Sequence, residues 1–224
     1  MGNVGTVSDA GTEQRVVIEL LLASPIHRYE GRPSDGPLPA TGPEVRDRIE
    51  IRAGLGVVGD RYFAKKAHVH ESVTIMAAES LDHVARALGL SEVPDAANTR
   101  RNIILRGVER AVEIDAMRGT GFSLDTGDGE VRFLAHRPAN PCAWMNVTLA
   151  DGAHKALRGR GGMRCEPLTD GTLSLGTAVL RLHPSTGSGN GETSSGERPY
   201  GLSTAHSPSP HWSYPDGNRD VPLA

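Results

Sequence analysis

Apolar and polar positions along this chain mark out short strands more often than helices. Residues 15–24, RVVIELLLAS, form a β-branched and aliphatic run of strand length that opens the core. In Arg48-Ile49-Glu50-Ile51-Arg52 charged residues alternate with isoleucine, as a half-exposed strand requires. Residues 72–76 and 103–105 are shorter aliphatic strands. Residues 122–131 read as a hairpin turning on Asp125, Gly127, Asp128 and Gly129, and residues 131–135 carry the chain onward. Strand-like patterns return at residues 163–167, 172–175 and 178–182. A helical face is clear over residues 77–88, where Leu81, Val84, Ala85 and Leu88 recur at helical spacing and Gly89 ends the run. A second helical segment is predicted over residues 143–157. Between the first two strands, residues 25–45 are rich in Pro and Gly and predict an irregular surface excursion.

These elements predict a mainly β fold with a few helices, an α+β arrangement. It forms one domain over residues 15–183, preceded by a flexible lead-in over residues 1–14. From Pro184 to the end, Pro, Gly and Ser supply nearly half of the residues and little is left to bury, so residues 184–224 are expected to be a disordered or loosely attached tail.

Composition adds limits. With 24 Lys and Arg against 27 Asp and Glu, the net charge of −3 excludes a global pull toward nucleic acid or an anionic membrane, so any basic function is local. An aromatic content of 4%, with 27 glycines and 15 prolines, fits an aliphatic core with many turns. The polar N-terminus lacks the pattern of a signal peptide, and the longest apolar run, residues 16–23, is short and interrupted by Glu19. A cytoplasmic protein with Cys142 and Cys165 reduced is the expectation.

The chemistry concentrates in residues 137–162, RPANPCAWMNVTLADGAHKALRGRGG, around Cys142. A thiolate prefers soft or transition metals, whereas the guanidiniums of Arg158 and Arg160 and the bare backbone at Gly161 and Gly162 suit phosphate. Arg100, Arg101 and Asn102 at a strand start are either an anion clamp or a solvated charge pair. Gly54, Gly56 and Gly59 match GxGxxG, but no amphipathic helix follows, which sets a dinucleotide site aside; Asp60 and Arg61 then belong to a turn or to a ligand contact. His68, His70 and His83 are read as solvated histidines without a partnering cluster. Cys165 is read as a small buried hydrophobe.

Taken in order, Gly54-Leu55 with Gly59-Asp60-Arg61, Ser72-Val73-Thr74-Ile75 with Glu79, Arg100-Arg101-Asn102-Ile103, Pro141-Cys142, and Arg158-Gly159-Arg160-Gly161-Gly162 with Gly176 resemble the MOSC domain, the C-terminal domain of molybdenum cofactor sulfurase. The resemblance implies a barrel-like, mostly β fold that binds the molybdenum cofactor, a molybdopterin. By that likeness Cys142 is the molybdenum ligand or the sulfur-carrying residue. Arg100, Arg101, Asn102, Arg158, Arg160 and Gly161, with Asp60 and Arg61, are then cofactor-binding candidates. Pyridoxal phosphate belongs to the family at large only, since no desulfurase domain precedes the motifs.

Two functions follow from the resemblance. In the first, Cys142 ligates molybdenum in an oxidoreductase that reduces N-hydroxylated or N-oxide compounds, with a separate electron donor and a small-molecule substrate. Asp60, His136 and Asn140 are candidate proton donors. In the second, Cys142 carries a persulfide received from a cysteine desulfurase and delivers its sulfur to the cofactor or a metal–sulfur centre. Neither calls for nucleic acid or a membrane.

Overall fold

The computed structural model describes residues 13–108 and 111–183, with the side chains of residues 111–113 left aside. The expected lead-in, apart from its last two residues, and the expected tail lie outside the described residues. Eleven strands are present: β1 (Glu13–Leu22), β2 (Val45–Arg46), β3 (Arg48–Arg52), β4 (Gly56–Val57), β5 (Val73–Ala77), β6 (Ile103–Arg106), β7 (Gly121–Asp125), β8 (Glu130–Pro138), β9 (Met163–Pro167), β10 (Gly171–Ser174) and β11 (Gly176–His183). Seven of them close a barrel. Strand β11 pairs with β7, and β8, β9, β5, β6 and β1 follow in order; β1 then pairs back onto β11. Closure leaves no open edge along these seven strands. Strand β2 extends β1, and β10, β3 and β4 form a separate three-stranded sheet. The molecule thus has the mainly β fold that the patterning predicts and the barrel that the resemblance implies.

Within the barrel only β5 and β6 run parallel. A parallel pair needs a crossover, and the helix α1 (Glu79–Leu88) supplies it, stopped by Gly89 in the left-handed region at φ 65°. Because α1 covers its outer face, all five residues of β5, VTIMA, are buried, as strands with two covered faces require.

Strand β1 has two buried faces for a different reason. Val16 and Ile18 point into the barrel core, but the register against β6 shifts between Ile18 and Leu20. Beyond that bulge Leu21 and Ala23 face inward, while Leu20 and Leu22 turn outward beneath α1 and two later helices, α3 (Trp144–Thr148) and α4 (Ala153–Ala156). The outer cluster of Leu20, Leu22, Met76, Leu81, Val84, Ile104, Trp144, Met145 and Leu157 anchors the segment that carries Cys142.

Two expectations need correction. The single helix expected over residues 143–157 is two short helices, broken where Gly152 takes φ 87° and where Asn146 Oδ1 accepts the His154 backbone N–H at 2.8 Å. A short helix, α2 (Ala111–Ala116), also stands where no helix was expected.

Candidate cofactor-binding site

Where β5 and β6 begin, loops from four parts of the chain enclose a cavity of about 170 Å³, roughly ten times the room that one water needs. Its wall comes from residues 27–29, 60–62, 99–102, 140–142 and 144–145, with Thr74 and Arg164 from the strands.

The floor is a set of satisfied polar groups. Asn102 is buried; its Oδ1 accepts from the Thr74 N–H at 2.9 Å and from Thr74 Oγ1 at 2.8 Å. Its Nδ2 donates to the Leu22 carbonyl and to Asp60 Oδ2, both at 3.1 Å. Buried Asp60 also accepts from the backbone N–H groups of Ser24 (3.2 Å) and Tyr62 (3.0 Å). Asn102 and Asp60 therefore fasten β1, β5, β6 and the 60–62 loop together, with their hydrogen-bonding capacity largely spent inside the protein.

Arg100 and Arg101 diverge. Arg100 adopts the left-handed conformation at φ 61°, which for a side chain other than Gly, Asn or Asp costs on the order of 1 kcal/mol. Its guanidinium meets Glu44 in a bidentate pair, both contacts at 2.8 Å and both partners almost fully buried. Arg28 at 3.0 Å and the Ser24 hydroxyl also donate to Glu44. Burial alone would raise the Glu44 carboxyl, but these donors outweigh it and hold the group at about 2. Arg100 is thus neutralised within the wall.

Arg101 has no carboxylate partner among the described residues. Its guanidinium donates to three backbone carbonyls, Gly161 at 2.8 Å, Ala139 at 2.6 Å and Thr99 at 3.2 Å. Burial, followed by the field of Arg164, pushes it down to about 10, so it remains a cation at neutral pH. Arg61 lies over the Tyr62 ring at 4.5 Å, and its Nε is buried without a hydrogen-bond partner. Arg164 reaches the cavity while donating to Glu71 at 3.0 Å. Burial and then Arg61 lower the pKa of His27, also in the wall, so that it stays uncharged near neutrality.

Cys142 is exposed and lines this basic cavity beside Pro141 and Asn140. The next residues turn into α3, where Trp144 is buried and stacks on Tyr29 with ring centroids 5.0 Å apart and planes 10° from parallel. This fixes the residue two places after the thiol. Cys165 sits in the barrel core at 0% exposure, where burial pushes its thiol well up, as a small hydrophobe should be.

Of the residues expected in the site, Cys142, Arg100, Arg101, Asn102, Asp60 and Arg61 line the cavity. Gly161 stands behind Arg101, to which it offers its carbonyl. A Cβ there would lie 2.3 Å from the Ala139 oxygen, and one on Gly162 would lie 2.1 Å from the Ile75 oxygen. The paired glycines thus let backbone pack on backbone. Arg158 and Arg160 are not among the lining residues, and Arg158 is exposed. Asp60 and Asn140 line the cavity, whereas His136 pairs with Glu166 instead. Sequence reasoning missed His27, Arg28, Tyr29 and Arg164. The first three lie in the Pro- and Gly-rich excursion, where only an aromatic and a basic residue side by side gave a signal. Arg164 follows the glycine-rich loop with no distinguishing pattern.

The MOSC domain family model matches residues 60–180, over half of the chain. The chain belongs to that family. The crystal structure of the YuaD protein from Bacillus subtilis is similar, with a TM-score of 0.57 at 14% identity, covering 77% of this chain and 98% of that one. That of YiiM from Geobacillus stearothermophilus matches at 19% identity with a TM-score of 0.39, over 50% of this chain and 54% of that one. No curated protein matches the chain. Among the described residues no helix is long and apolar enough to cross a membrane.

Proposed function

We propose that this protein binds the molybdenum cofactor in the cavity and serves as an oxidoreductase that reduces N-hydroxylated or N-oxide compounds, with Cys142 as a protein ligand to molybdenum. One observation carries the reading: the single exposed thiol among the described residues shares a cavity with Arg61, Arg101 and Arg164. The donor set fits the cofactor, since a thiolate suits molybdenum and guanidiniums suit a phosphate. The unpartnered buried Nε of Arg61 fits a ligand acceptor as well.

When bound, the cofactor would supply the two-electron chemistry, and a separate protein would supply the electrons. The chain's own residues do the rest. Arg101, gripped by three carbonyls, holds a fixed positive charge against the anionic ligand. Arg61 is braced on Tyr62 and contributes a second cation, and Arg164 a third. The buried Arg100–Glu44 pair keeps the 99–102 turn in shape. Trp144 and Tyr29, stacked on one another, form an aromatic side of the cavity and fix the start of α3 next to the thiol.

A second reading rests on the exposure of Cys142 and the burial of Cys165. The Cys142 thiolate would attack the outer sulfur of a desulfurase persulfide, the donor's S–S bond would break, and the donor thiolate would leave. With Cys165 sealed in the core, no second thiol of the barrel could resolve the Cys142 persulfide as a disulfide.

The test is protein purified from a host that makes the cofactor, supplied with a chemical reductant and assayed on N-hydroxylated substrates. The oxidoreductase reading expects turnover that Cys142→Ser abolishes. Inactive protein whose intact mass shows one thiol-removable sulfur on Cys142 would favour the carrier. Arg101→Ala should lower cofactor retention by about tenfold or more, the worth of a charged hydrogen-bonding group; unchanged retention would remove Arg101 from the site.

A further inference from the structure

Away from the Cys142 cavity, two histidines and a glutamate from three different elements converge. His70 lies on the short 3-10 turn Lys66–Glu71, His136 on β8 and Glu166 on β9. His70 Nδ1 stands 2.6 Å and His136 Nε2 3.0 Å from the same oxygen, Glu166 Oε2. The two imidazoles face each other with centroids 4.4 Å apart, and all three ligand atoms lie within 4.8 Å of one another. We infer that His70, His136 and Glu166 form a binding site for one divalent transition-metal ion of the zinc class.

The backbone is shaped for this convergence. The pairing of β8 with β9 shifts register between Ala135 and Arg137, leaving His136 as the extra residue of a bulge. A bulge sets consecutive side chains side by side and re-aims them. Here His136 reaches Glu166 while its neighbour Arg137 reaches Glu71. Without the bulge one of the two would have to face the barrel core, where Ala135 and Cys165 already sit.

Distances and charge agree with a metal. Ligand bonds of about 2.0–2.2 Å around a tetrahedral ion place donor atoms roughly 3.4 Å apart. The 2.6 Å separation opens to that value with a small rotation of His70, whose side chain is 67% exposed, and the 3.0 Å separation with a shift of a few tenths of an ångström between His136 and Glu166. Two imidazole nitrogens and one carboxylate oxygen select transition ions over magnesium or calcium, which take oxygen ligands. Nearby Arg137 and Arg164 are both paired with Glu71. With Glu166 the two cations meet two carboxylates, so no net positive charge repels the ion. The exposed side of His70 leaves a coordination position open to water. This assignment does not depend on what the Cys142 cavity binds.

The test is calorimetric titration of Zn²⁺ into EDTA-stripped full-length protein carrying Cys142→Ser, so that the exposed thiol does not compete. The result expected is one equivalent bound with a dissociation constant in the micromolar range or tighter. The affinity should fall at least tenfold in His70→Ala and again in Glu166→Gln. The His70 side chain is mostly exposed, so its variant tests the site without risk to the fold. Millimolar Mg²⁺ should not compete. Absence of Zn²⁺ uptake by the parent, unchanged affinity in both variants, or displacement by Mg²⁺ would each overturn the assignment.

Discussion

Glu44 shows how a residue outside every motif can decide the shape of a site. It takes hydrogen bonds from Arg100, Arg28 and Ser24 in a nearly dry setting. Removing the acid leaves a buried guanidinium unpaired, which typically costs about 3 kcal/mol or more, so Glu44→Ala should lose about that much in denaturant unfolding. The pair also sets a pH dependence. The folded carboxyl titrates at about 2, below the unfolded value of about 4.3. Its stabilisation is therefore complete above that unfolded value and is lost as pH falls through 2. Relative to Glu44→Gln, the wild type should lose stability over that acid window; a constant difference would contradict the pairing.

Asp115 behaves in the opposite sense. Its Oδ1 accepts from the Gly162 N–H at 2.7 Å while Oδ2 is buried without a partner, and burial lifts the group to about 6. That lies above the unfolded value of about 3.9, so the contribution of the protonated acid is fully present below that value and is lost as pH rises through 6. Asp115→Asn keeps an oxygen for Gly162 and cannot ionise. The stability of the wild type relative to this variant should fall between pH 4 and pH 7, as followed by thermal melting; a rise over that range would contradict the account.

At the scale of elements, the glycine-rich loop before β9 works by close packing. A Cβ on Gly162 would meet the Ile75 oxygen at 2.1 Å, and the residue also has a φ of 86°. Gly162→Ala should therefore cost about 3 kcal/mol or more, the upper range for a single substitution, measured as a lowered unfolding midpoint. Gly159 has open space around it but a left-handed φ of 69°, so Gly159→Ala should cost only that backbone strain, about 1 kcal/mol.

The same loop shows where sequence reading reached its limit. Residues 158–162 were legible as basic and glycine-rich, but whether the glycines opened the backbone to a ligand or let two backbones touch depends on β5 and the 139–141 segment. Those lie far away in sequence. The strands and α1 were legible because their burial follows a local period, and along Arg48–Arg52 the three charged residues are exposed while Ile49 and Ile51 are buried. The break at Gly152 was not, because the Asn146 contact to His154 that stabilises it is a side-chain cap invisible to periodicity. Cys142, Arg61 and Arg101 could be named from motif order. The stacking of Tyr29 on Trp144 spans more than a hundred residues and has no local signature.

At the scale of the whole molecule, a chain with net charge −3 concentrates cations at one end of its barrel. Such a local field draws anions despite the overall sign. Binding of an anionic ligand there should weaken severalfold between about 0.05 and 0.5 M salt, because exposed charge is screened within a few ångströms at the upper value. Salt-independent binding measured by equilibrium dialysis would mean that Arg61, Arg101 and Arg164 do not hold the ligand. The barrel itself is closed by β1 on β11, so the cavity rests on strands with no free edge, and its loops can differ widely without loss of the scaffold.

The central claim is that Cys142 and its basic cavity hold the molybdenum cofactor. Elemental analysis for molybdenum on the protein purified from a cofactor-producing host, alongside Cys142→Ser, tests it most directly. The account predicts close to one molybdenum per chain in the wild type and its loss in the variant. Wild-type protein free of molybdenum, or a variant that keeps its full complement, would contradict it.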